Sequence, residues 1–139
     1  MQIRNFEDLE IWKESRRLTR EIYGLSKTPK FSKDFGLRDQ MRRAAVSTMS
    51  NIAEGFERGG NQEFVQYLYI AKGSCGEVRS QLYVALDQEY IDQKTADNLL
   101  IALKRLSVMI KHLIDQLKRS GMRGPKYGNS KSEVSPETS

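Results

Sequence analysis

Cysteine, histidine and proline are scarce in this chain of 139 residues. Its single cysteine, Cys75, excludes an internal disulfide and is typical of a protein from a reducing compartment. The prolines are Pro29, Pro125 and Pro136, so nothing in the long stretch between the first two forbids long helices. Alternating runs of Val, Ile and Thr are also missing, which argues against strands. These absences predict an all-α protein.

Long apolar runs are absent as well. No stretch approaches the roughly 20 apolar residues that a membrane-spanning helix needs. The first ten residues, MQIRNFEDLE, are charged and do not resemble a signal peptide. We therefore expect a cytoplasmic protein with no membrane partner.

Residue types that usually perform catalysis are few. The only histidine is His112, and Cys75 falls on an apolar helix face, which is typical of a small core residue rather than a reactive thiolate. Met109 stands three residues before His112, so the Glu-x-x-His motif of di-metal bundles is missing, and no nucleotide-binding motif is present. We expect no enzymatic activity, no catalytic residue, no metal and no cofactor. A weaker alternative is a metal or small-molecule site at Glu54 and Glu77.

Helical spacing of apolar residues dominates what the sequence does contain. It predicts four helices at about residues 6–26, 34–58, 62–89 and 93–119. Asn5, Asn61 and Asp92 are suited to cap the first, third and fourth of these helices, and Gly59-Gly60 is suited to end the second.

Short links between these helices predict an antiparallel, up-down-up-down four-helix bundle formed by residues 1–120. The remaining residues, 121–139, are rich in glycine and serine and contain basic side chains but almost no apolar ones. Such a composition cannot bury enough surface to order itself, so we expect a flexible, disordered tail.

The third and fourth helices each have one clear apolar stripe, with steps of three and four residues that are typical of packed helices. The predicted core residues of the third helix are Phe64, Leu68, Ala71, Cys75, Val78, Leu82 and Leu86. Those of the fourth are Leu99, Leu103, Leu106, Ile110, Leu113 and Leu117.

The first helix has two apolar stripes, about half a turn apart. One contains Leu9, Trp12, Thr19 and Tyr23, and the other contains Ile11, Leu18, Ile22 and Leu25. A helix of a monomeric bundle needs only one stripe, and exposed apolar patches usually mark interfaces. We therefore expect Ile11, Leu18, Ile22 and Leu25 to form the interface of a homo-oligomer, although scattered apolar surface residues are an alternative.

The second helix carries small and polar residues beside its apolar stripe. Arg43, Ser47, Asn51 and Glu54 follow one flank, and Gly55 leaves room for a neighbouring backbone. One interpretation is a buried network in which Asn51 and Glu54 meet the region from Ser74 to Glu77, or a second subunit, and fix the register. The alternative is a solvated flank with ion pairs one turn apart.

Three segments in this order resemble one family of four-helix-bundle proteins, first noticed in intervening sequences of bacterial 23S ribosomal RNA genes. They are FEDLEIWKESRRLTREIY, QMRRAAVSTMSNIAEG and AKGSCGEVRSQL, and the most distinctive part is Asn51, Ile52, Ala53, Glu54 and Gly55. The resemblance covers about Phe6 to Leu117 and departs where family members usually have leucine and this chain has Cys75.

This resemblance implies an antiparallel bundle that assembles as a ring, commonly a homopentamer. It also implies similarity in fold to the accessory protein of diversity-generating retroelements, a basic pentamer that binds nucleic acid and a reverse transcriptase. No enzymatic activity is attached to the family.

A basic surface is the feature most relevant to function, since the net charge is +5. We expect this basic surface to be repeated around the ring and to bind the backbone of RNA or DNA. The candidate contacts are Arg38, Arg42, Arg43, Lys104, Arg105, Lys111, Lys118 and Arg119. The alternative function is a protein-interaction scaffold or accessory subunit, with the charge serving solubility.

Overall fold

The computed structural model describes residues 2–121, and all regular secondary structure in this range is helical. A 3-10 turn, Phe6–Asp8, precedes five helices: α1 (Glu10–Leu25), α2 (Pro29–Ser32), α3 (Phe35–Glu57), α4 (Asn61–Asp87) and α5 (Gln93–Gly121). The all-α prediction is therefore confirmed for the described residues. The predicted tail lies outside them, apart from Gly121.

The four predicted helices correspond to α1, α3, α4 and α5, with differences at two starts. The first begins at Glu10 because the preceding residues form the 3-10 turn, where the backbone N–H groups of Arg4 and Asn5 donate to the Asp8 carboxylate. These bonds lower the pKa of Asp8. Asn61 is the first residue of α4 rather than its cap. Asp92 does cap α5, since its carboxylate accepts from Thr95 N at 2.8 Å.

Helix α2 was not predicted, and it joins three parts of the chain. Phe31 is fully buried and its ring stacks on Tyr90, with 5.1 Å between the centroids. The Tyr90 hydroxyl donates to Asp34 at 2.9 Å, which raises the pKa of Tyr90. Asp34 also accepts from Leu37 N and so caps α3. This unit connects α2 to the start of α3 and to the turn between α4 and α5.

Each long helix packs on two of the others: α1 contacts α3 and α5, and α4 contacts the same two. Consecutive long helices run antiparallel, as the cross-helix contacts show. Between α1 and α3, Thr19 donates to the Ala45 carbonyl, while later in α1 Ser26 accepts from Arg42, which comes earlier in α3. Helices α4 and α5 are likewise antiparallel and lie side by side along most of their length.

The apolar interior contains a small cavity of about 10 Å³ where the four long helices meet, which is at the limit for a single water molecule. All the predicted core residues of the third and fourth helices are buried, except Leu86, which is half-buried.

The predicted oligomer interface on α1 is wrong. Ile11, Leu18 and Ile22 are buried within this chain and Leu25 is half-buried. Leu18 and Ile22 line the small cavity together with Leu103 of α5. Because α1 contacts both α3 and α5, both of its stripes have neighbours inside the same chain, so the second stripe does not need another subunit.

Gly55 is where α3 and α4 approach most closely among the described glycines. A Cβ added there would lie 2.6 Å from Tyr67 Cβ and 3.0 Å from Phe64 Cδ1. Tyr67 Cβ is fixed to the backbone, so it cannot swing away. The predicted close backbone approach at Gly55 is thus confirmed, and the residue limits the distance between the two helices.

Gly55→Ala is therefore expected to lower the free energy of unfolding by about 1 to 2 kcal/mol, because overpacking exceeds the gain in helix propensity. Gly73→Ala is the matched control, since nothing lies within 4 Å of a Cβ added there. It should raise stability by up to about 1 kcal/mol. Urea denaturation followed by circular dichroism measures both, and equal effects of the two substitutions would contradict the close contact.

Candidate anion-binding groove

A basic groove of about 300 Å³ runs between α4 and α5. Four cations and one carboxylate line it, which gives a net charge of +3 with the histidine neutral. Its lining residues are Lys72, Arg79, Lys104, Ser107, Val108, Lys111, His112 and Asp115.

Helix α4 contributes Lys72 and Arg79, which the sequence analysis missed. They are seven residues apart and so occupy nearly the same helix face, with Gly76 between them. Nothing lies within 4 Å of a Cβ added at Gly76, so the centre of this face is open. The sequence contained one signal that could have identified them: the seven-residue spacing of Lys72 and Arg79 matches that of Lys104, Lys111 and Lys118 on α5.

Cys75 links the two helices that form the groove through a buried hydrogen bond. Its thiol is buried and donates to the Leu103 carbonyl at 3.3 Å, which ties α4 to α5. Burial raises the pKa of Cys75 to about 11, although Lys72 and Arg79 act in the opposite direction. The thiol is therefore protonated at neutral pH, as expected for a core residue rather than a nucleophile.

Helix α5 contributes the other cations and the single acid. Lys111 Nζ lies 2.8 Å from Asp115 Oδ1, and this hydrogen bond lowers the pKa of Asp115 and raises that of Lys111. Within residues 2–121, Lys72, Arg79 and Lys104 make no ion pair. Three of the four cations in the groove are thus available to an anion.

Lys118 extends the basic surface past Asp115 toward the end of α5. Its ammonium group donates to the Tyr69 hydroxyl at 3.2 Å and lies 5.6 Å from the centroid of the ring. A cation and an exposed aromatic ring are therefore held together at this end of the groove. Arg119 follows it on α5 and is exposed.

The arginines predicted on α3 do not line this groove, because its lining residues all come from α4 and α5. Arg42 donates to Ser26 Oγ at 2.8 Å and stacks over Tyr23, so it joins α1 to α3. Arg38 pairs with Asp39 at 2.8 Å. Arg43 is exposed on the same helix.

Arg105 is exposed on α5 and acts toward α1: a hydrogen bond from Arg17 lowers the pKa of Glu14, and the charge of Arg105 lowers it slightly further. The eight predicted contact residues therefore divide between separate surfaces. Only Lys104 and Lys111 line the groove itself.

The motif from Asn51 to Gly55, here called the Asn51 motif, forms a polar contact between α3 and α4. Asn51 Nδ2 donates to Ser47 Oγ at 3.0 Å, and this oxygen lies 2.9 Å from Ser74 Oγ. Ser74 is buried, as are Ile52 and Gly55 of the same motif, while Ala53 is half-buried. The structure thus brings Asn51 and Ser74 into one network that fixes the register of two helices.

Glu54 and Glu77 take no part in that network. Glu54 Oε2 instead accepts from Arg58 at 3.0 Å and from the Tyr67 hydroxyl at 3.3 Å. Glu77 is exposed ten residues farther along α4 than Tyr67, which is about 15 Å at the helical rise. A shared metal or small-molecule site at Glu54 and Glu77 is therefore wrong. Across residues 2–121, no group of three His, Cys, Asp or Glu residues is placed to hold a metal ion.

None of the described helices is both long and apolar enough to cross a membrane. Antiparallel long helices around one apolar core, with a basic groove between two of them, define an all-helical, bundle-like protein with a candidate site for anions. The chain belongs to the 23S rRNA-intervening sequence protein family, whose model matches residues 7–112. The family resemblance noted in the sequence is thereby confirmed.

A solved structure with a similar fold is that of a protein with unknown function from the S23 ribosomal protein family of Bacteroides thetaiotaomicron VPI-5482. The two chains are 20% identical, and the match covers 75% of this chain and 97% of that chain, with a TM-score of 0.69. At this identity the likeness shows a shared fold. No curated protein matches the chain.

Proposed function

We propose that this protein is a non-enzymatic, oligomeric four-helix-bundle protein that binds nucleic acid, with structured RNA as the favoured ligand, through the groove between α4 and α5. One observation carries the proposal: four cations line the groove against a single carboxylate, and three of them make no ion pair within residues 2–121. Lys118 and Arg119 continue the basic surface along α5.

A phosphate backbone suits this arrangement because its charges are regularly spaced. Lys72 and Arg79 lie about 10 Å apart along α4, and Lys104 and Lys111 are equally spaced on α5, at 1.5 Å per residue. Both walls therefore present cations repeatedly along the groove. Contacts of this kind position a nucleic acid without reading its sequence, and they weaken steeply as salt increases.

Assembly as a homo-oligomer, a ring of five as the family resemblance implies, and a cytoplasmic location belong to the same proposal. Repetition of one groove in several subunits would multiply a modest local charge. Because the apolar stripes of α1 pack inside the chain, the surface proposed for assembly lies on other helices. Exposed apolar residues outside the groove lie on α4 and α5: Ile70, Val84 and Ile101.

These same apolar residues favour the second candidate function, a protein-interaction scaffold or accessory subunit with no nucleic-acid role. Exposed apolar surface of this kind commonly marks a protein interface. In that case the groove cations would affect solubility and the rate of association rather than bind a phosphate backbone.

Charge reversal in the groove tests the proposal. The double substitution Arg79→Glu and Lys104→Glu should lower affinity for labelled single-stranded and duplex RNA by about tenfold or more, and reduce the salt dependence of binding. The matched control, Arg20→Glu with Lys30→Glu, changes the net charge equally at exposed positions outside the groove. Fluorescence anisotropy over a salt titration measures both variants.

Asp115→Asn provides the opposite change, because it removes the only carboxylate of the groove. Affinity should rise severalfold, and the salt dependence should become steeper.

Equal losses of affinity in the charge-reversed groove variant and in its matched control would show that net charge alone is responsible and would contradict binding in the groove. No retention of either RNA at low salt would reject nucleic-acid binding and favour the scaffold.

A further inference from the structure

Two exposed tyrosines stand on α4 at either end of its basic face. Tyr69 is 42% exposed and Tyr83 is 55% exposed. They are separated by fourteen residues, with Gly76 midway, so all three occupy nearly the same face of the helix. Lys72 and Arg79 lie between the tyrosines in sequence and line the groove. The two tyrosines therefore flank the two basic residues along α4.

We propose that the groove holds one strand of single-stranded nucleic acid, with the rings of Tyr69 and Tyr83 stacking on unpaired bases while the cations contact the phosphates. This inference rests on the proposed function and specifies which part of a structured RNA the groove binds, namely an unpaired segment such as a loop. A charged groove with aromatic platforms is the arrangement by which proteins bind single strands without sequence preference.

The dimensions are consistent with a short segment. Fourteen helical residues span about 21 Å, and a stacked strand advances about 3.4 Å per nucleotide. The distance from Tyr69 to Tyr83 thus corresponds to about six nucleotides. The open space at Gly76 lies at the middle of this path, where a side chain on α4 would otherwise project toward the strand.

The tyrosines distinguish a single strand from a duplex. Paired bases are already stacked on one another, and protein aromatic rings stack instead on the splayed bases of single strands. Cations alone would bind the backbone of either form. Tyr69 shows how the two functions combine, because Lys118 bonds its hydroxyl and holds a charge next to the ring.

The test compares an oligouridine of about 12 nucleotides with an RNA duplex of the same length. Tyr69→Leu and Tyr83→Leu should each weaken binding of the oligouridine by about fivefold to a hundredfold and leave duplex binding unchanged. Tyr69→Phe and Tyr83→Phe keep the rings and should retain most of the affinity. Phe35→Leu, at an exposed aromatic residue outside the groove, is the control for unrelated loss of a ring.

The outcomes separate this inference from the function on which it rests. If Arg79→Glu with Lys104→Glu weakens binding but both Tyr→Leu variants bind oligouridine normally, single-strand stacking is rejected while nucleic-acid binding stands. Equal losses for oligouridine and duplex in the Tyr→Leu variants would also overturn the inference. If neither RNA binds the wild-type protein at low salt, both proposals fail.

Discussion

Phe31→Ala is expected to lower the free energy of unfolding by about 3 to 5 kcal/mol, the usual range for removing a buried phenylalanine side chain. Phe31 is 0% exposed although its helix, α2, has only four residues. Its ring stacks on Tyr90, and Tyr90 bonds the Asp34 cap of α3. The substitution therefore leaves a cavity at the point where three connections meet. Urea denaturation at one fixed protein concentration measures the loss.

Phe35→Ala is the control for this prediction, because Phe35 is 64% exposed and lies only four residues away. Its ring contacts Arg38, so a change of about 0.5 kcal/mol or less is expected. If Phe31→Ala and Phe35→Ala have similar effects, α2 contributes little to the core and the connection described here is wrong.

Ile22→Ala is expected to lower the free energy of unfolding by about 2 to 5 kcal/mol. Ile22 is 0% exposed and lines the small internal cavity with residues of the other long helices. Its removal enlarges that cavity within one chain. The sequence pattern alone had assigned the same residue to a subunit interface, so this substitution separates the two interpretations.

Val46→Ala is the control, since it removes apolar atoms from a side chain of α3 that is 38% exposed and lies outside the surface proposed for assembly. Its stability should change by about 0.5 kcal/mol or less. Light scattering is measured on both variants. If the Ile22→Ala variant keeps its stability but its measured mass falls to that of a monomer, near 16.0 kDa, the interface interpretation is restored.

The groove itself was only partly predictable. Lys104 and Lys111 were identified as basic residues on one helix, but their partners Lys72 and Arg79 come from another helix and lie about thirty positions earlier. Arg38, Arg42 and Arg43 have the same chemistry and yet belong elsewhere. Arg42 is occupied between α1 and α3, where it bonds Ser26. Charge is visible in a sequence, whereas which charges share a surface depends on how the helices pair.

The Asn51 motif gives the same lesson at shorter range. One of two interpretations of the sequence placed Asn51 and Glu54 against the region from Ser74 to Glu77, and Asn51 does reach Ser74 through Ser47 because their helices are antiparallel neighbours. Glu54 lies only three residues from Asn51 but bonds Arg58 and Tyr67 instead. Residues three apart on a helix are separated by about 60° around it and about 4.5 Å along it, which is enough for Asn51 and Glu54 to reach different partners.

The sequence by itself determined the four long helices, their approximate limits and the cores of α4 and α5, and the resemblance of three of its segments identified the family. The helices, their limits and their cores follow from local periodicity, caps and glycines, which act within a few residues along the chain. Only the tertiary structure decided that the second stripe of α1 is internal, that Phe31 is a core residue, and that Lys72 and Arg79 share a groove with Lys104 and Lys111. The physical reason is that burial and shared surfaces depend on which helices become neighbours. That choice is made by packing between segments far apart in sequence, and periodicity within one segment does not record it.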